Sequence, residues 1–264
     1  MVRTTIYSVF TILMLITVGT LTAALEDDLV VYFTFDDIDG KTIRDSSGNR
    51  LDANIVANTE IVKGKNGNAI KITAEGADCV NVPADNKLKI SGEITMAAWV
   101  WMEAWNNNSQ WFDKNCHNGG EHTSYGIGVF GDGNNFNMFL GSDQNRQTLN
   151  KPHALKAKTW HYVVGTYDGS TMKVYVDGKL AVEEAKEFNF TGTNDQDLRI
   201  GCSKDRPQYT FENGMIDDAA IWSRALDEDE INQAMGGVLL DVTPKNKAST
   251  TWGDIKQRTT VYEP

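Results

Sequence analysis

The residues best suited to chemistry lie close together, between positions 105 and 147. Trp105-Asn106-Asn107-Asn108-Ser109-Gln110-Trp111 sets two aromatics around an amide-rich run, and Asn115-Cys116-His117-Asn118-Gly119-Gly120-Glu121-His122 adds two imidazoles and a carboxylate. Gly131-Asp132-Gly133-Asn134-Asn135 and Ser142-Asp143-Gln144-Asn145-Arg146-Gln147 supply further planar donors and acceptors. Saccharide recognition needs flat apolar faces against pyranose C–H groups, with amides and carboxylates for the hydroxyls. Trp105, Asn107, Trp111, His117, Glu121, His122, Asn134 and Asp143 are accordingly the candidate ligand-binding residues. Two other readings stand beside this one. Asn, Gly and Asp also make turns for purely local reasons, and the spacing of His117, Glu121 and His122 could hold a transition metal.

Catalytic patterns are harder to find. Glycosidases built on a β-sandwich place acidic residues on one strand, about 5–5.5 Å apart for retention. The strand-borne Glu-x-Asp-x-Glu form does not occur here. Glu183, Glu184 and Glu187 form a charged run, and Glu228 and Glu230 fall at a helix start. Gly-x-Ser-x-Gly and His-Glu-x-x-His are absent as well. No catalytic residue is assigned, and a glycoside hydrolase or lyase is the minor alternative. His161 adjoins a strand tryptophan and reads as a structural histidine.

The 264 residues carry 36 acidic and 25 basic side chains, a net charge of −11. Nucleic acid is thereby excluded as a partner, because neutralising phosphates requires a basic face. The first residues resemble an export signal: Arg3, an apolar run from Ile6 to Leu21, then Thr22-Ala23-Ala24. An apolar run of about 16 residues is short for a spanning helix. Cleavage after Ala24 would send the chain outside the cell, to the periplasm or to the cell surface, with no membrane insertion afterwards. The expected organisation is a signal over 1–24, one folded domain over 25–240, and a polar tail over 241–264.

The elements that must position these residues are short β-type runs. Leu29 to Phe35 puts Leu29, Val31, Phe33 and Phe35 on one face. Ile70–Thr73, Ile94–Trp101, Tyr125–Phe130, Phe136–Leu140 and Trp160–Tyr167 follow, each bounded by turn residues. Asp168-Gly169 and Asp177-Gly178 predict two successive tight turns and a three-stranded meander. Trp99, Trp160, Tyr162, Tyr175 and Trp222 sit in strands and read as packing residues. A single helix is expected near the end. Asp227 and Glu230 make a capping box, Leu226 and Ile231 a hydrophobic staple, and Gly236-Gly237 the stop. Many strands and one helix specify an all-β, two-sheet antiparallel sandwich.

Three segments carry a family resemblance: Phe33-Thr34-Phe35-Asp36-Asp37 with Asp45-Ser46-Ser47-Gly48-Asn49; Trp160 to Gly178; and Gly214-Met215-Ile216-Asp217-Asp218-Ala219-Ala220-Ile221-Trp222. In order and spacing they resemble the laminin-G-like, concanavalin-A-like jelly rolls. That resemblance implies a jelly-roll fold and a non-catalytic binding module. The partners expected are polysaccharide or glycoprotein glycans or, alternatively, extracellular-matrix or cell-surface protein in an adhesion role. It also implies a structural Ca²⁺, for which Asp36, Asp37, Asp45 and Asp217 are the candidate ligands, with Asp217 and Asp218 pointing to opposite faces of their strand. Among the three cysteines the expected bridge joins Cys116 to Cys202, because both lie in polar, loop-like stretches. Cys79 then stays free, in a position where the family often carries an aromatic.

Overall fold

The computed structural model describes residues 24–73, 78–105, 108–115, 124–142, 145–204 and 206–237. Numbered in chain order, its strands form two antiparallel sheets. The first runs β15 (Lys179–Ala185), β14 (Thr171–Val176), β13 (His161–Tyr167), β8 (Ile94–Met102), β17 (Gly214–Trp222), β6 (Asn68–Ile72), β5 (Glu60–Lys63), with β1 (Leu29–Phe33) also paired to β17. The second runs β12 (Asn145–Pro152), β11 (Asn135–Ser142), β10 (Tyr125–Phe130), β9 (Ser109–Lys114), β16 (Leu198–Ile200), β7 (Cys79–Val82), β4 (Ala53–Val56), β3 (Thr42–Ile43), β2 (Ile38–Asp39). The predicted meander is β13-β14-β15. Asp177 and Gly178 both take positive φ (51° and 78°) at its second turn, as a two-residue hairpin loop of the primed type requires.

The sheets face each other across one apolar core, in which Met96 and Val163 of the first meet Ile127, Phe136 and Met138 of the second. A second apolar layer lies on the outer face of the eight-stranded sheet. There Trp99, Tyr162, Tyr175 and Trp222 pack beneath Leu226, Ile231 and Ala234 of the helix region α1 (Glu228–Met235) and against Leu25 and Leu29. This sheet is therefore covered on both sides, which explains why β1, β13 and nearly all of β8 are buried at every position, without alternation. Val31, Phe33 and Phe35 do enter the inter-sheet core, but Leu29 does not share their face. A register shift between Leu29 and Val31 turns it into the outer layer.

The helix is built as its sequence specifies. Asp227 Oδ1 accepts from Glu230 N at 2.9 Å, and Glu230 Oε2 accepts from Asp227 N at 2.9 Å. His161 is buried and structural. Its Nδ1 lies 2.8 Å from Asp177 Oδ2, and its Nε2 accepts from Lys156 N at 3.0 Å.

The expected cysteine pairing is corrected: the bridge joins Cys79 to Cys202, with Cα atoms 5.5 Å apart. Strands β7 and β16 pair Val80 with Ile200, so Gly201 falls opposite Cys79 and the next residue reaches it. Cys202 follows the end of β16 in a bend, as its sequence suggests, but is buried at 5% exposure. β9 runs antiparallel to β16, pairing Phe112 with Ile200 and Asp113 with Arg199, so it leads away from Cys202 as it approaches position 115. Cys116 itself lies outside the described residues. A non-reducing peptide map should link the Cys79 and Cys202 peptides and leave Cys116 alkylatable. A Cys116–Cys202 peptide would contradict this register.

Candidate functional site

The structure redistributes the residues first singled out. Trp111 belongs to the inter-sheet core at 1% exposure, and half-buried Trp105 packs on it edge-on with ring centres 6.2 Å apart. Phe211 and His153 complete that aromatic group around Trp105, at 6.2 and 5.5 Å. These tryptophans therefore close one end of the core; Trp111 cannot present a face to a ligand. Asn134 is exposed in the β10–β11 turn, where its backbone N–H and its Nδ2 both donate to Gly131 O (3.3 and 3.1 Å); it serves the turn. Asn107, His117, Glu121, His122 and Asp143 lie outside the described residues.

The expected calcium ligands do not converge. Asp45 spends its carboxylate on its own turn: Oδ1 accepts from Tyr32 N (3.1 Å) and Ser47 N (2.9 Å), Oδ2 from Ser47 Oγ (2.8 Å) and Leu51 N (3.0 Å). Asp36 Oδ1 instead takes Asn68 N at 2.8 Å. Among the described residues no group of three or more His, Cys, Asp or Glu could hold a metal ion. The carboxylates of Asp36, Asp45 and Asp217 each accept backbone N–H groups.

Asp217 and Asp218 do act together, contrary to the opposite-face expectation. β17 bulges between Asp217 and Ala220, and Asp218 takes φ 47°. Asp217 Oδ2 accepts from Asn66 N, and Asp218 Oδ2 accepts from Asn66 Nδ2, both at 2.8 Å. Tyr32 donates its hydroxyl to Asp218 Oδ1 at 2.8 Å. Burial raises the proton affinity of both carboxyls; that of Asp217 is pushed up to about 7.

A different site emerges on the outer face of the nine-stranded sheet, where the short 3₁₀ turn Pro207–Tyr209 lies against β9. The register lays two rows of side chains across it. One runs from Asp113 through Gly126 and Phe139 to Thr148; the other runs from Gln110 through Gly128 and Asn137 to Asn150. The two glycines make the floor. A Cβ on Gly126 would strike the Phe139 ring and Phe112 O, and one on Gly128 would strike Ser109 O and Gln110 Cα. What remains is a cleft of about 340 Å³, walled by Phe130, Arg146, Arg206 and Tyr209 around those rows. Phe130 and Tyr209 meet edge-on with ring centres 5.7 Å apart. Arg146 lays its guanidinium 4.4 Å from the centre of the Phe139 ring. Gln110 is 3% exposed, and its Oε1 has no hydrogen-bond partner among the described residues. A buried acceptor in that state costs about 1–3 kcal/mol unless a donor reaches it.

Residues 109–111 and 145–147 are strand, not loop. Gln110 and Arg146 line the cleft through the alternation of β9 and β12 while the neighbouring tryptophan turns inward. Phe130, Asn137, Phe139, Thr148, Asn150, Arg206 and Tyr209 were not among the candidates. The signal for Asn137 and Phe139 was the alternation Asn-Phe-Asn-Met-Phe-Leu over 135–140 beside Gly126-x-Gly128.

Comparison with known proteins agrees with this architecture. Over residues 74–232 the chain matches the Laminin_G_3 model of the concanavalin A-like lectin/glucanases superfamily. It is 31% identical over 116 residues to the human adhesion G-protein coupled receptor D1, covering 43% of this chain but 13% of the receptor. It resembles the binding domain of Paraclostridial Mosquitocidal Protein 1 (TM-score 0.64, 14% identity), covering 81% of this chain and 53% of that one. It also resembles domain 4 of AbnA, a GH43 extracellular arabinanase from Geobacillus stearothermophilus solved with arabinotriose. There the TM-score is 0.60 at 18% identity, over 78% of this chain and 98% of the other. The chain thus spans about half of the toxin domain and a small part of the receptor. With the family model covering more than half its length, and with two antiparallel sheets packed face to face, the chain belongs to the concanavalin A-like lectin/glucanase superfamily.

Proposed function

We propose that this protein is an exported, non-catalytic carbohydrate-recognition module, and that its ligand lies in the cleft over β9–β12. One observation carries the reading: Gln110, whose buried Oε1 has no hydrogen-bond partner among the described residues, lines a cleft whose other walls are aromatic rings, amides and guanidinium groups. Sugar hydroxyls supply the missing donor, and pyranose C–H faces suit Phe130 and Tyr209. The described lining holds no pair of carboxylates, whereas glycoside hydrolysis uses two flanking the scissile bond. Arabinanase domain 4, solved with arabinotriose, supports a saccharide on this fold.

The test is retention on immobilised plant and bacterial polysaccharides, with reducing ends assayed in the same samples. Gln110→Met should keep or slightly raise the melting temperature, since it removes an unsatisfied buried acceptor, while weakening binding about two- to tenfold, the worth of one neutral hydrogen bond. Unchanged affinity in Gln110→Met would remove the cleft from the reading, and release of reducing ends would make the protein an enzyme. The match to an adhesion receptor favours a second reading, protein adhesion. Retention on matrix protein with none on any polysaccharide would establish it instead.

A further inference from the structure

We infer that the cleft selects anionic saccharides, with Arg146 and Arg206 receiving the carboxylate or sulfate of an acidic sugar; this rests on the saccharide reading above. The chain is acidic, at net −11. Arg44, Arg199 and Arg224 each contact carboxylates at 2.7–3.6 Å. Arg146 and Arg206 both line the cleft, and neither is ion-paired among the described residues. Two guanidinium groups converge on one hollow of an acidic protein, against the single carboxylate of Asp113 that acts on Arg146, and leave the cleft with a local positive field.

The chemistry of the two groups narrows the ligand. Arg146 lies over Phe139, its guanidinium carbon 4.4 Å from the ring centre, and this contact restrains the group at the cleft wall. A planar fork of donors matches an oxyanion with two oxygens in bidentate geometry and gains much less from a lone hydroxyl. Gln110 Oε1 accepts from a ring hydroxyl of the same sugar, so an acid group and a hydroxyl are both addressed. A volume of about 340 Å³ suits one or two sugar rings. Long-range repulsion between polyanion and protein is screened beyond about 8 Å at physiological salt, whereas close contacts in the cleft are screened much less.

The experiment measures affinity at 0.15 M salt for chemically matched polymers: polygalacturonate and hyaluronate, each beside its carboxyl-reduced neutral counterpart, and dextran sulfate beside dextran. An acidic polymer should bind about tenfold or more tightly than its neutral partner, the worth of one charge-assisted pair. Preference within the carboxylate pairs identifies a uronate-type acid, and preference for dextran sulfate alone identifies a sulfate. Arg146→Gln and Arg206→Gln should each shrink the acid-to-neutral ratio about tenfold with the melting temperature unchanged. Equal affinity within every matched pair overturns the anionic inference while leaving a saccharide site in place. A wild-type ratio in both arginine variants also overturns it. Failure to retain any polysaccharide removes the saccharide reading and this inference together.

Discussion

Trp111→Ala should lower stability by about 3–5 kcal/mol, the cost of truncating a large aromatic in a packed core. For a domain of this size that corresponds to a fall of roughly 6–20 °C in melting temperature. The expectation follows from position. Trp111 is 1% exposed in the inter-sheet core, its ring stands edge-on to Trp105 and to Phe211 at 6.2 and 6.3 Å, and its backbone carbonyl accepts from Gly201 N at 3.0 Å. Removing the indole would leave a cavity between β9 and the segment that carries Arg206 and Tyr209, so ligand retention would fall as a consequence of lost packing. Two controls separate the causes. Asn150→Ala, at an exposed position of the cleft, should weaken binding and leave the thermal midpoint within a degree or two. Trp105→Ala should fall between the two in stability, because that ring is only half buried. A Trp111→Ala protein that melts like the wild type and loses only its ligand would return the tryptophan to a binding rim.

Periodicity and turn chemistry made most of the fold readable from the chain. The Asp177-Gly178 hairpin and the Asp227–Glu230 capping box are local devices: each residue pair suffices for its own geometry, and the structure contains both. The sheet-on-sheet arrangement also follows from alternating runs. Information carried by register was not readable. The bond between Cys79 and Cys202 depends on β7 lying beside β16 across 123 residues of sequence, and no local pattern encodes that pairing. The same holds for the cleft. Gln110 and Trp111 are adjacent in a run whose composition suggested a binding loop, with Trp111 as the candidate contact. A strand sends neighbours to opposite faces, so one lines the cleft and the other fills the core. Arg206 joins Arg146 only because the loop after β16 returns over β9 to β12. Asp217 and Asp218 show the converse error. Strict alternation separates them, and a bulge brings them onto the same asparagine.

That pair yields the second large effect, a dependence of stability on pH that runs opposite to the usual behaviour of carboxylates. Asp217 is wholly buried where the edge of β17 passes from β6 to β1, and burial lifts its carboxyl from the ordinary 3.8 to about 7. Between those values the folded chain holds a proton that the unfolded chain has released. Its contribution to stability is therefore complete below about pH 4 and is lost as pH rises towards 7. A shift of about three units corresponds to about 4 kcal/mol. The raised Asp218 acts in the same direction, whereas the lowered Asp168 acts in the other. The informative quantity is thus the difference between wild type and Asp217→Asn. Asparagine is neutral at every pH, but its amide nitrogen cannot accept, so one of the two N–H groups of Asn66 and Asp218 that Asp217 now satisfies loses its acceptor. At pH 4 the variant should be less stable by about 1–3 kcal/mol. By pH 8 the difference should have moved in favour of asparagine by about 4 kcal/mol, because the wild type must then hold a buried charge. Urea melts of both proteins across this range give the two curves. Parallel curves would mean that Asp217 is already ionised in the folded state, as it would be beside a bound cation. Chelator would then separate them, and added calcium would bring them back together.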